Sequence, residues 1–371
     1  MKRVSIITIL DNTNFGTYLQ AFALCKTIDK LGGKPQLVNY WRYFMLPRNM
    51  LINSLKNCGL KFYKWPIRIW RIIKYSELQK KNHQFIERYL TPIKYRSFEE
   101  LIKRLPQADI YMTGSDQVWN SVYNRGIDKS FYLDFAPENS IKCAYAASIG
   151  MSDFSENEKD EVFSLLCNYS KISVRENSAK DILIRLGIDR NKLFSVLDPT
   201  LLLDKQDWFK IIPQRVHQFK YLLLYSVESK QRGNVISELA KKIAKDRGLK
   251  IVGVYYGNSY WKFECSEIDH YYADPLTFLS LMYYADFTVV SSFHGTAFSI
   301  NFQKEFISVS PERFNSRVMD LLSLTGLSDR LVCNIDVDYK KIKQIDYSSV
   351  DEILKSKRKE SMNFINGILN D

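Results

Sequence analysis

The sequence predicts an α/β protein of two Rossmann-like, doubly wound domains facing a shared cleft, and three observations carry that expectation. Short apolar runs rich in Val, Ile and Tyr alternate with helix-length segments along the chain, the pattern that selects a parallel sheet covered on both faces. At 371 residues the chain exceeds one ordinary core, so two domains are expected. The alternation pauses near Asp198-Pro-Thr200, passes through a polar stretch containing Pro213, and then restarts. The boundary is therefore placed to give domains at 1–199 and 200–371.

Residues 4–9 read as the first strand, because an apolar run too short to span a membrane meets Asp11 at once. A helix over about 17–31 follows, ended by Gly32-Gly33, and then a strand over 36–39. A basic helical insertion over about 41–100 interrupts the pattern. It resumes with a helix over 98–104 and strands over 109–113 and 141–148. A helix over 156–167, a strand over 171–174, a helix over 178–186 and a strand over 193–197 complete the first series. The second series runs strand 221–227, helix 233–246, strand 250–256, helix 275–284, strand 287–291, helix 296–302 and strand 306–309. Helices near 317–324 and 350–369 close the chain.

Composition narrows the function classes. Six scattered cysteines, with no Cys-x-x-Cys pair, argue for a reduced cytoplasmic compartment and against a structural zinc site. The formal charge of +12 is concentrated: residues 41–81 hold ten Lys/Arg against the single acid Glu77. Aromatic and basic residues interleave there, as in interfacial helices at anionic lipid surfaces. A peripheral place at the inner face of the plasma membrane is one expectation; a solvated helical insertion packed on its own domain is the other. Nucleic acid is not expected as a partner.

Four strand ends carry candidate chemistry. At the first, Asp11-Asn-Thr-Asn-Phe-Gly16 lacks the Gly-x-Gly-x-x-Gly spacing of a dinucleotide site. Asn14 and Gly16 there suit a sugar or phosphate, or an ordinary turn. At the second, Gly114-Ser-Asp-Gln-Val-Trp-Asn120 joins polar Ser115, Asp116 and Gln117 to the aromatic face of Trp119, a mixture favoured by carbohydrates. Asp116 could act as a base or orient a hydroxyl; it could equally cap a helix while Trp119 fills the core. At the third, Arg175 could clamp a carboxylate or phosphate, or pair with Glu176 or another neighbouring acid. The fourth is Ser291-Ser-Phe-His-Gly-Thr296, where a strand delivers His294 into a turn opening a helix. Ser292, Gly295 and Thr296 with the helix N-terminus form an anion site there, and Arg313 and Arg317 follow as further cations. A capped helix with a structural histidine is the alternative. Of the other histidines, His83 lies in the insertion, His217 in the polar stretch, and His270 is a second candidate for proton transfer.

Taken in order, Asn14-x-Gly16, Gly114 to Asn120, Tyr145-Ala-Ala-Ser-Ile-Gly150, Ser173-Val-Arg-Glu176, Asp198-Pro-Thr200, Ser292-Phe-His-Gly295 and Asn315-Ser-Arg317 resemble the polysaccharide pyruvyltransferase family. The resemblance spans roughly residues 5–330. It implies a glycosyltransferase B-like pair of domains that moves a pyruvyl group from phosphoenolpyruvate to sugar hydroxyls, as a ketal, on a cell-surface polysaccharide or its lipid-linked precursor. It implies no cofactor beyond that donor and no metal. On it, His294 and Asp116 are catalytic. Arg175, Ser292, Gly295, Thr296, Arg313 and Arg317 hold the donor, and Asn14, Gly16, Ser115, Gln117 and Trp119 the acceptor. Many members carry arginine where Ser292 stands, so Arg313 or Arg317 would replace that cation. A nucleotide-sugar glycosyltransferase on the same scaffold, or a non-catalytic subunit binding carbohydrate or a membrane surface, are the competing readings.

Overall fold

The computed structural model describes residues 1–56, 65–227, 230–255, 262–310, 316–333 and 338–370. The chain divides into two units, one of Met1–Leu202 with Lys359–Asp371, the other of Leu203–Arg358. Against the expected 1–199 and 200–371, the closing segment thus returns to the first unit.

In the first unit the strands are β1 (Arg3–Ile7), β2 (Lys34–Tyr40), β3 (Ile93–Tyr95), β4 (Ile110–Thr113), β5 (Ile141–Ala147), β6 (Lys171–Val174) and β7 (Leu193–Ser195). They form one parallel sheet in the order β3-β2-β1-β4-β5-β6-β7. The order reverses between β1 and β4, the point where open α/β sheets place ligands. Buried β-branched and aromatic residues make these strands. Ile110 and Met112 are fully enclosed, and each such side chain contributes about 1.5–3 kcal/mol of burial. Trp119, Phe131, Tyr132 and Tyr169 pack against the same sheet. Between β5 and β6 the register shifts at a bulge, where Ala146 has φ 51°. Ser173 Oγ accepts from the Ala146 N–H (3.1 Å) and donates to the Ala144 carbonyl (3.0 Å), satisfying the displaced backbone.

The short β3 was missed by the sequence reading, hidden behind the insertion. That insertion holds helices Pro47–Lys56 and Trp65–Tyr89. The second of them buries Leu78, Phe85 and Ile86, with Phe85 set 5.5 Å from the Phe22 ring of helix Phe15–Lys30.

The second unit repeats the design. Its strands are β8 (Tyr221–Ser226), β9 (Lys250–Tyr255), β10 (Ile268–His270), β11 (Phe287–Val290), β12 (Phe306–Val309) and β13 (Leu331–Val332). They pair in parallel as β10-β9-β8-β11-β12-β13. The order again reverses between the first and fourth strands. Leu222, Leu224, Ile236, Ile243 and Val289 form the core of one face. The two- and three-residue edge strands β13 and β10 are too short to leave an alternating pattern, so sequence periodicity did not reveal them.

Candidate functional site

Each sheet brings polar side chains to its own reversal point, and the two clusters differ in charge. In the first unit β1, β4 and β6 deliver Asp11, Asp116 and Arg175 beyond their carboxyl ends. Asp116 sits at φ 82°, a region sparsely used by residues with a Cβ. Its carboxylate accepts from Thr17 Oγ1 (2.8 Å) and from the Gln117 N–H (2.9 Å). Asn14 caps helix Phe15–Lys30 by accepting from the Gly16 N–H, and it remains part-exposed while Gly16 is buried. Gln117, also part-exposed, accepts from Asn120 through Oε1 (2.7 Å).

Three expected ligand-binding residues have other work. The Trp119 ring is fully enclosed, 5.9 Å from Tyr132 in a stack, and its N–H donates to the Phe131 carbonyl. It offers no face to a sugar. Ser115 is fully buried and donates to Asp198 (3.0 Å). Arg175 is not presented to a phosphate: it bonds Asp198 at 2.8 Å, with Glu176 at 3.8 Å and Asp116 at 3.9 Å. Burial opposes its charge, yet Asp198, Glu176 and Asp116 together raise its pKa. Three carboxylates around one guanidinium leave this point net negative, which disfavours a dianion and suits hydroxyl donors.

Further residues complete this cluster, and of them the sequence points only to Glu176, as a partner for Arg175. Glu176 Oε1 accepts from Ser148 Oγ (2.6 Å) and from the N–H groups of Ile149 (3.2 Å) and Gly150 (3.4 Å). Asp11 binds the buried Arg42 guanidinium through both oxygens (2.6 and 2.7 Å), and Arg42 also donates to Asn124 (2.6 Å). The Asp11 pair overcomes the desolvation that would lower the Arg42 pKa. Composition gives Arg42 only as one of the ten Lys/Arg of 41–81, and Asp198 only as part of a motif; Glu176 is readable as a partner of Arg175.

In the second unit β8 and β11 deliver a cluster of hydroxyls. Ser226 and Ser291 pair at 2.7 Å, and Thr296 pairs with Ser308 at 2.9 Å while also donating to the Ser292 carbonyl (3.0 Å). Thr296 is fully buried, so its hydroxyl is part of the fold and not a ligand for the donor. Ser292 caps helix Phe293–Asn301 by accepting from the Gly295 N–H (2.9 Å). A Cβ on Gly295 would stand 3.0 Å from Val290 and 3.1 Å from Tyr225, so the glycine serves close helix-to-strand packing. The helix starts three residues before the expected position, which sets His294 in its first turn, 5% exposed. Arg317 lies half-buried in the first turn of helix Ser316–Leu324, and Arg313 falls outside the described residues. His270 is 2.9 Å from His217, Nε2 to Nε2; burial, with the charge of neighbouring groups, lowers both pKa values. Among the described residues, no group of three or more His, Cys, Asp or Glu side chains is placed to hold a metal ion.

A family model described as polysaccharide pyruvyl transferase matches residues 14–313. No curated protein matches the chain in sequence. Solved structures share its fold at low identity. A putative UDP-N-acetylglucosamine 2-epimerase from Listeria monocytogenes is 10% identical with TM-score 0.56, covering 98% of this chain and 90% of that one. An Anabaena protein, HepE, solved with UDP and glucose, is 7% identical with TM-score 0.53, over 100% and 98%. A trehalose-6-phosphate protein from E. coli bound to UDP-2-fluoro glucose is 10% identical with TM-score 0.51, over 98% and 97%. These likenesses place the fold in the two-domain, glycosyltransferase B-like α/β class.

Proposed function

This chain belongs to the polysaccharide pyruvyl transferase family, and we propose that it moves the pyruvyl group of phosphoenolpyruvate to two hydroxyls of one sugar, giving a ketal. The acceptor is a cell-surface polysaccharide or its lipid-linked precursor, and the reaction runs at the cytoplasmic face of a membrane without a further cofactor. No described helix is long and apolar enough to cross a membrane, so contact with the lipid is peripheral on this reading.

The observation that carries the reading is His294 in the first turn of a helix at the reversal point of the second sheet. A helix N-terminus favours anions, and an imidazole there can hold a proton beside a phosphate. Protonation of the donor's methylene carbon makes its methyl group and leaves an oxocarbenium-like carbon. One sugar hydroxyl attacks that carbon; the second then displaces the phosphate, its proton leaving with it as hydrogen phosphate. Asp116, held by Thr17 and the Gln117 N–H, orients the attacking hydroxyl and takes its proton. Ser292 and Arg317 are assigned to the donor, as is Arg313, which lies outside the described residues. Asn14 and Gln117 are assigned to the acceptor. Arg175 is reassigned as a positioning residue, because its acidic partners hold it.

Phosphate release is the test. Incubation with phosphoenolpyruvate and a saccharide should release inorganic phosphate and form a ketal seen by mass, and UDP-sugars should release no nucleotide. His294→Gln should lower release by at least about a hundredfold, as loss of a general acid does. Nucleotide release from a UDP-sugar, with none of phosphate, would replace this reading by glycosyl transfer.

A further inference from the structure

Apart from the strand-end clusters, the first unit holds a cavity of about 840 Å³ lined by β2, β3 and helices Pro47–Lys56 and Trp65–Tyr89. Its floor is the Trp41 indole stacked on the His83 imidazole, centroids 4.8 Å apart at 23°. Asn39 Nδ2 lies 3.3 Å from His83 Nδ1 and the Tyr18 hydroxyl 3.4 Å from Nε2, fixing the ring from both sides. Leu46, Pro47, Ile52 and Tyr95 add apolar wall. Four cations, Arg48, Lys80, Lys94 and Arg96, line it against the single carboxylate of Glu87, which Lys94 already pairs at 2.7 Å.

Two further features belong to this cavity. Gln79 lines the cavity at 1% exposure; its Nε2 donates to the Asp11 carbonyl (2.6 Å), while its buried Oε1 has no hydrogen-bond partner. The second feature is an outward apolar lip. Tyr43 and Ile52, which line the cavity, are 72% and 39% exposed, and the adjacent helix exposes Ile67, Trp70 and Ile73 by 46–51%. Arg48 is exposed on the same lining, and Arg68, Arg71 and Lys74 interleave with the apolar residues on the helix. An apolar surface mixed with cations is what an anionic lipid surface complements.

We propose that this cavity binds the phosphate end of a single-chain lipid phosphate, with the phosphate against Arg48, Lys80 and Arg96 and the first part of the chain over Trp41, Leu46 and Ile52. The volume fits a drug-sized ligand, so the remainder of the chain stays in the bilayer beside Ile67, Trp70 and Ile73. The inference deepens the functional reading, and rests on it, in naming the anchor of the acceptor. Gln79, in the cavity wall, donates to the Asp11 carbonyl and so ties the cavity to the turn that carries Asn14.

Calorimetric titration of the full chain with a short prenyl phosphate, kept below its micelle concentration, tests this. Binding is expected, at least about tenfold weaker for the matching prenyl alcohol and for the Ile52→Asp and Arg48→Glu variants. Equal binding of alcohol and phosphate, wild-type affinity in both variants, or no binding overturns the proposal. A response to a nucleotide that the same variants abolish, with none to prenyl phosphate, overturns it in favour of a nucleotide site. Binding is read without turnover, so the two readings fail separately. Lost phosphate release with intact lipid-phosphate binding sinks only the pyruvyl transfer; the reverse sinks only the cavity.

Discussion

Arg175 shows how a residue can be legible in place while its role stays open between two readings, a clamp on a ligand and a pair with neighbouring acids. Its position at the end of β6 follows from the apolar run before it. Which acids meet it depends on Asp116 and Asp198, which β4 and the loop after β7 bring in from other parts of the sequence. Removing one partner of a buried pair strands a charge. Asp198→Asn is expected to destabilise the first unit by about 3–5 kcal/mol, measured by urea unfolding. Asp116→Asn, by contrast, should abolish transfer with a smaller stability change, because Asp198 still holds Arg175. His83 gives a second expectation at this scale. Burial lowers its pKa from 6.5 to about 4, so the folded state favours the neutral ring. That contribution is complete above pH 6.5 and is lost as pH falls toward 4, an effect on the order of 3 kcal/mol. His83→Gln should flatten the acid limb of the stability profile over that window; an unchanged limb would place the titration elsewhere.

Helix Phe293–Asn301 shows what a local pattern leaves open. The strand before it and the histidine turn were readable, because β11 is apolar and uncharged and ends at hydroxyls. The pattern places its start three residues late, at Thr296, whereas Ser292 caps the helix by accepting from the Gly295 N–H. Ser292→Ala should therefore cost about 1 kcal/mol of second-unit stability. Gly295→Ala sets a propensity gain of about 1 kcal/mol against a Cβ 2.9 Å from Ser292 Oγ, 3.0 Å from Val290 and 3.1 Å from Tyr225. Two of those three neighbours are a strand residue and an aromatic ring that yield little. Overpacking of this kind costs about 1–3 kcal/mol, so net destabilisation is expected in thermal unfolding. A raised Tm would show that the helix moves off the strand freely.

At the scale of the molecule, the sequence order of the elements conveyed both sheets but not the ownership of the last helix. Its periodicity marks a helix without naming the surface it covers, and nearness in sequence favoured the second domain. The helix Tyr347–Asn370 instead gives its final turns to the first unit. Ser361 Oγ accepts from the Leu197 N–H (3.0 Å), Phe364 packs 5.1 Å from Phe194 and 6.2 Å from Tyr145, and Ile365 and Ile368 are fully buried. Burying three such apolar side chains contributes about 5 kcal/mol or more, comparable to the whole stability of a domain. Truncation after Arg358 is therefore expected to unfold residues 1–202 while Leu203–Arg358, which keeps its own sheet, resists limited proteolysis. Ile368→Ala, which removes one of these side chains, should lower first-unit stability by about 2–5 kcal/mol. A truncated chain whose first 202 residues stay protease-resistant would show that the closing turns add nothing to the sheet they cover.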